Sequence, residues 1–536
     1  MPVRQRIRSS ALLIAWLFPL CSAAQSTTSL ATDASALPRG ALGIRFLTSF
    51  TRWDELLGSG TDAAGNPRNI AATLATNALD ASAVPSLAPA EAAIRSLSGL
   101  SSFNLSLGNV VAAANARVVT APLIVQYGLT SRLTLGVVVP LVETRTTVFA
   151  QLNPKPGFAS VGPNPALFNT TQQASNASLV QTLRSAASAL QSRLTNCQAT
   201  PTDPSCVSLL AQQGAVQALI QSTGAFATDV ETLYGTGADH PGQPFVPIDT
   251  GGAQRSIDQR LAGIRAAYDT LVAAGSVSGT LAGAHGPAAT AQFQSLLTAL
   301  GHDTLGSIDR SSIGDVSVGA TLQLINSYGD TARGTDRSPR YRVSVNGAFR
   351  FGTGEPASRN KLFDQSTGYG QPGVELGAAG DVRVGRMAAT ALGAYTLQLG
   401  TIDAARVANA GNAILPLLGA PPAGTTYSAG NVLTLSLIPR YTISRYLAVN
   451  GEYQIVHTGA DEYGGVPAGT LAGLSAGTAQ QLGLGFSYST AASPDRGPGA
   501  FPFEVTFSHL ETIAGSNGPV PKTFRDQLEL RIYLTR

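Results

Sequence analysis

The sequence predicts an all-β chain: a transmembrane, antiparallel, up-and-down β-barrel of about twelve strands with a helical insert in one long loop. Three observations predict it. Apolar and polar residues alternate with a period of two in segment after segment, which puts one set of side chains on each face of a strand. Charged residues make up only 12% of the chain, about half the ~25% of a soluble domain, yet no mature segment approaches the ~20 apolar residues of a spanning helix. Short and long connections also alternate between the strands, as they do when a barrel keeps its turns on one side of a membrane and its loops on the other.

The chain opens with an export signal, predicted over residues 1–24. Arg4, Arg6 and Arg8 form a basic start, Ala11 to Leu20 an apolar core too short to span, and Ser22, Ala23 and Ala24 the small residues before a cleavage point. Its removal leaves 32 basic and 32 acidic residues. A neutral chain lacks the basic excess of a general nucleic-acid binder.

Twelve strand segments follow, at 42–53, 117–127, 133–148, 313–326, 340–351, 373–385, 387–400, 431–443, 446–457, 477–490, 502–513 and 524–535. The domain reading is 25–148 for strands 1–3, 149–312 for the insert and 313–536 for strands 4–12. The last strand shows the pattern clearly: Leu528, Leu530, Ile532 and Leu534 alternate with Gln527, Glu529, Arg531 and Tyr533. Strands 2 and 3 join at 128–132, strands 6 and 7 at 385–386, and strands 8 and 9 at 444–445, with about a dozen residues between strands 4 and 5 and between 10 and 11, whereas 54–116, 149–312, 352–372, 401–430 and 458–476 are long and only 514–523 is comparable to the shorter set. With a periplasmic N-terminus, every short turn falls on the periplasmic side.

Between 151 and 312 the period becomes helical. Leu179, Leu183, Ala186, Leu190 and Leu194 share one face, and Ile257, Leu261, Ile264, Tyr268 and Leu271 another. Further helices are predicted from Ser205 to Tyr234 and from Ala288 to Leu300, with Gly301 as C-cap. Cys197 and Cys206 are the two cysteines of the mature chain, and the exported setting predicts a disulfide stapling the tip between the first two helices. The insert is too polar to span lipid and is placed at the extracellular mouth or in the lumen.

Three segments resemble the outer-membrane family named for the MetA pathway of phenol degradation, often described as transporters. They are Gln126 to Val142 (QYGLTSRLTLGVVVPLV), Gly314 to Leu324 (GDVSVGATLQL), and Phe349 to Pro356 (FRFGTGEP) with Ser366 to Gly370 (STGYG) in the following loop. The resemblance implies an outer-membrane barrel passing small solutes, aromatic or hydrophobic compounds among them. It leaves 54–116 and most of 149–312 unmatched. The end of the chain departs from the usual pattern: barrels often finish on an aromatic residue read by the barrel assembly machinery, whereas this one finishes on Arg536.

Alternation turns Arg45, Arg342, Arg350, Asp381, Arg383, Arg440, Glu452, Arg525, Glu529 and Arg531 into the lumen. All but Arg45 are taken as the pore candidates, since charge at a constriction sets which solutes pass. Mutual pairing across strands is the competing role for the same residues. Tyr127, Tyr441, Tyr488 and Phe507 are candidates for the interfacial aromatic girdles. His509 follows Ser508, but alternation sends neighbours to opposite faces, which separates the pair an esterase would need. His240, His285, His302 and His457 are scattered, so no metal site, cofactor or catalytic residue is assigned. The expected role is a passive channel for small solutes; the alternative is a membrane anchor whose insert binds a partner.

Overall fold

The computed structural model describes residues 30, 32–72, 74–155, 157–271, 277–299, 303–328, 339–358, 361–403, 424–465, 476–490 and 502–534. The expected export signal, His302 and the Gly301 cap lie outside the described residues. The chain divides into two compact units, one of residues 1–73, 112–149 and 297–536, the other of 74–111 and 150–296.

The first unit is a closed barrel of twelve antiparallel strands. They are β1 (Leu42–Trp53), β2 (Val110–Gly128), β3 (Leu133–Leu152), β4 (Ser317–Asn326), β5 (Arg340–Arg350), β6 (Gly373–Val384), β7 (Met387–Gln398), β8 (Val432–Thr442), β9 (Leu447–Thr458), β10 (Gly477–Ser489), β11 (Phe503–Ser516) and β12 (Phe524–Leu534). Each pairs with its sequence neighbours, and β1 pairs with β12 from Leu42↔Leu534 to Arg52↔Phe524, so no edge remains. A further strand, Ser307–Ile313, continues the wall beside the far half of β3, from Leu141↔Ile313 to Thr147↔Ser307. The segment predicted as a strand over 313–326 is β4 with a later start, at Ser317, and only Ile313 of it belongs to the further strand. The break falls at Gly314, where a Cβ would stand 3.0 Å from Pro140 and from Val142.

Burial follows the alternation. In β2, Ala112, Ala114, Ala116 and Val118 are buried while Val111 and Arg117 are exposed. The outward face is apolar: Phe46, Phe50, Leu135, Val137, Leu435, Leu437, Leu482, Leu484, Phe486 and Leu528 are all exposed. Such a surface in a monomer is what acyl chains cover. Tyr127, Tyr441 and Tyr488 are exposed at the short-turn end, where the Tyr488 ring lies 5.9 Å from those of both Tyr446 and Phe503. Phe507 differs from its expected girdle place. It pairs with Phe486 at 5.4 Å, deeper in the apolar face, because Phe503 already holds the end of its strand.

The second unit is largely helical, and no described helix is long and apolar enough to cross a membrane. Besides the predicted helices it takes in 74–111, which carries α1 (Ala88–Ser98). Asn169 caps α2 (Thr170–Ala199) by accepting from the Thr171 and Gln172 amides. Leu179, Leu183, Leu190 and Leu194 of α2 are buried, as are Val216, Phe226, Val230 and Leu233 of its partner helix (Gln213–Tyr234). Arg184 bridges the two helices to Glu231 at 2.7 Å and holds that carboxyl below the usual range. The short helix Val207–Ala211 follows Cys206, whose Cα lies 5.2 Å from that of Cys197. Gly252–Leu271 forms the next helix, with Ile257, Leu261 and Tyr268 buried.

Val137 sits in the middle of the outward face of β3, paired with Val318. Val137→Arg is expected to destabilise the barrel by about 2–4 kcal/mol, the cost of a charge at the bilayer midplane, read from denaturant unfolding in phospholipid vesicles. An unchanged midpoint would mean that this face does not meet lipid.

Candidate functional site

Alternation directs the polar residues inward, and the register then sets which of them meet. Around β1, β12 and β6 they enclose the segment from Leu30 to Leu37, which precedes the first strand. Arg45 donates to Glu529 at 2.8 Å and to the Leu30 carbonyl at 3.2 Å. Arg531 also holds Glu529, and reaches Asp33 at 3.1 Å and the Thr32 hydroxyl at 2.8 Å. Asp381 accepts from the Ala34 amide at 3.1 Å and from Thr390 at 2.8 Å, with Arg342 at 3.4 Å. Gln126 and Gln323 donate to the carbonyls of Leu30 and Ala34, and the Leu37 amide donates to Thr134. Side chains of β1, β2, β3, β4, β6 and β12 therefore all grip this one segment. Burial pushes the Asp33 carboxyl up, but the Arg531 guanidinium and hydrogen bonds from Ser35 outweigh it and hold the group below the usual carboxylate range.

A second group spans β8, β9, β10 and β12. Arg525 donates to Gln454 at 3.0 Å and to Gln481 at 2.9 Å, and Gln454 donates on to Ser436 at 3.0 Å. Glu452 lies within electrostatic range of Arg525. Arg440 reaches Glu504 at 3.4 Å, from β8 to a strand three places round the wall.

A third group gathers the connection between β5 and β6. Asp315 accepts from the amides of Gly354 at 2.8 Å and Tyr369 at 2.7 Å, and Arg350 approaches it to 3.6 Å while donating to Gln398 and lying over the Tyr369 ring. Arg310 ties down Asp364 at 2.8 Å, and the Thr144 hydroxyl donates from the lumen face of β3 to the Gln365 carbonyl. The run from Leu362 to Gly368 is buried. The two glycine-rich halves of this connection pack backbone to backbone: a Cβ on Gly354 would collide with the Gly368 Cα.

Of the pore candidates, Arg342, Asp381, Glu529 and Arg531 meet in the first group, Glu452 and Arg525 in the second, and Arg350 in the third. Arg440 has its own partner. Arg383 does not join them, its Nε donating to the Gly385 carbonyl in the turn beside it. Sequence reasoning gave no role to Asp33 or the segment 30–37, which lie outside any alternating run, nor to Asp315, which it placed within the strand over 313–326. The traces were GDVSVGATLQL, which contains Asp315, and the pairing of FGTGEP with STGYG, whose Gly354 and Tyr369 amides Asp315 accepts from. His509 pairs with Asp526 at 2.7 Å on the outward face, whereas Ser508 points the other way and bonds Gln527.

No family model and no curated protein matches the chain. Among solved structures, an outer membrane channel from Pseudomonas putida F1 aligns at TM-score 0.40 and 12% identity, covering 94% of this chain and 99% of its own. The Pseudomonas putida toluene transporter TodX aligns at 0.23 and 11%, covering 97% and 95%, and a Pseudomonas aeruginosa FadL homologue at 0.25 and 8%, covering 92% and 90%. At those scores the alignments carry no argument, and the fold stands on the strand register.

Glu529 is the shared carboxylate of Arg45 and Arg531, with its side chain 11% exposed. Glu529→Ala is expected to cost about 3–5 kcal/mol, as removing one member of a buried ion pair does, measured by denaturant unfolding in vesicles. Glu529→Gln should recover part of that loss.

Proposed function

We propose that the chain is an outer-membrane channel for passive passage of small solutes, aromatic or hydrophobic compounds among them. One observation carries the reading: a closed barrel whose charged inner wall grips a segment of its own chain, from Leu30 to Leu37, instead of packing a continuous apolar core. A barrel serving only as an anchor needs no such arrangement. The solute class comes from the resemblance to the MetA-pathway family, and the outer-membrane location from the barrel together with the export signal expected over residues 1–24. Arg342, Arg350, Asp381, Arg383, Arg440, Glu452, Arg525, Glu529 and Arg531 are proposed to set passage through their charge. Cys197 and Cys206 are proposed to be bonded in the exported protein, which a mass shift of the peptide spanning them on reduction would test.

In this reading the segment 30–37 obstructs the lumen and its displacement admits solute. Deleting 30–37 should raise single-channel conductance in planar bilayers and solute flux into liposomes. A variant and a wild type that are both silent would end the channel reading. The depressed Asp33 carboxyl fixes the sign with pH: its contribution is full above the ordinary value of 3.8 and lost as pH falls through the lower folded value. Conductance should therefore rise below about pH 4, and Asp33→Asn should give part of that rise at neutral pH.

The compact helical unit supports a second reading, a surface protein whose insert binds a partner. Replacing 154–305 with a short Gly/Ser linker separates the two. A channel keeps or gains flux, whereas a binder loses its ligand and has no flux to keep.

A further inference from the structure

On β1, β2 and β3 the outward face of the barrel changes character at one level. On β1 the outward residues run Leu42, Ile44, Phe46, Thr48, Phe50 and then Arg52; on β2 they run Tyr127, Val125, Leu123, Ala121, Val119 and then Arg117; on β3 they run Leu133, Leu135, Val137, Val139, Leu141 and then Glu143. The spans 42–52, 127–117 and 133–143 are equal. At ~3.3 Å per residue and a tilt of ~40°, each climbs about 25 Å, the height of the apolar band of such a barrel. The first charged residue on each strand therefore stands where hydrocarbon gives way to headgroups, at the long-loop end.

Arg52 and Arg117 are direct partners in the β1–β2 register, and both are exposed on that face. Like charges placed directly opposite each other in a sheet repel. Arg52 lies over the Phe524 ring at 5.8 Å and has no carboxylate within ion-pair distance among the described residues. Arg117 gives one guanidinium nitrogen to Glu143 at 3.0 Å, and its side chain remains 49% exposed. Two positions beyond Glu143, Arg145 pairs with Asp309 at 3.4 Å. Along this edge Asp54, Glu143 and Asp309 match the three arginines in number, but only Arg117 and Arg145 have a carboxylate within ion-pair distance among the described residues.

We propose that Arg52 and Arg117 bind the phosphate of a phosphorylated lipid headgroup at the edge of the apolar band. A phosphate between them removes their repulsion and offers each planar guanidinium a matching pair of acceptors. The occupant is a lipid because the exposed apolar residues directly below, Phe50 and Leu141 among them, would cover its acyl chains while its head meets the arginines. The assignment rests on the barrel and its register, and stands whether or not the lumen conducts.

Native mass spectrometry of the detergent-solubilised barrel with diphosphorylated lipid A, and with the same lipid after enzymatic dephosphorylation, tests this. The wild type should hold the phosphorylated form at least about tenfold more tightly. The Arg52→Ala/Arg117→Ala variant should lose that preference while binding the dephosphorylated form as before. Both positions are exposed, so the variant should keep the heat-dependent gel migration of a folded barrel; Arg52→Lys/Arg117→Lys, which keeps the charge, should retain an intermediate preference and serves if the alanine variant does not fold. A wild type indifferent to the phosphates, or an alanine or lysine variant with undiminished preference, overturns the proposal. Displacement of the lipid by millimolar inorganic phosphate overturns the lipid assignment in favour of a free-anion site.

Discussion

Hydrocarbon offers the peptide backbone nothing to bond with, and the architecture of this chain answers that single fact. Every N–H and C=O inside the bilayer must find a partner within the protein. The twelve strands meet the demand by pairing in sequence and then joining β12 to β1 over the full length of both. Once the ladder closes, the period-two geometry has two separate jobs: one face meets acyl chains, the other an interior that cannot be filled with apolar side chains alone. The polarity of the inner wall follows from this division.

The inner wall then carries charges that must be matched. Arg45, Glu529, Arg531 and Asp33 form a relay in which each carboxylate serves two donors, and Asp381 is shared between a side chain and the Ala34 amide. These contacts take residues far apart in sequence and bind the chain's own early segment to the wall. Pairing within the wall is the role the structure gives these side chains; selection of solutes by the same charges belongs to the proposed channel.

Nearly all of the barrel was legible because alternation is local and redundant. Strand β1 has the predicted limits of 42–53, and β5 to β10 and β12 fall within two residues of expectation at each end. Two of the errors have a common cause. β2 reaches back to Val110 and β3 onward to Leu152, beyond the apolar band, where charged and small residues occupy the outward face and the contrast between faces fades. Phe507 was misplaced because period two gives the face of an aromatic residue but not its depth. The roles of the segment 30–37 and of Asp315 escaped for a different reason: they are made largely by contacts with residues remote in sequence, which period two does not report.

The closure of β1 on β12 also dictates an order of events. The first strand cannot complete its pairing until the last has been released, nearly 500 residues later in a chain of 536. Until then two strand edges stand open, each a template for another copy of the same chain. Biogenesis must therefore shelter those edges through the whole of synthesis and export. Because the early segment has to lie among the strands before the seam is sealed, sealing also fixes which side of the wall that segment occupies.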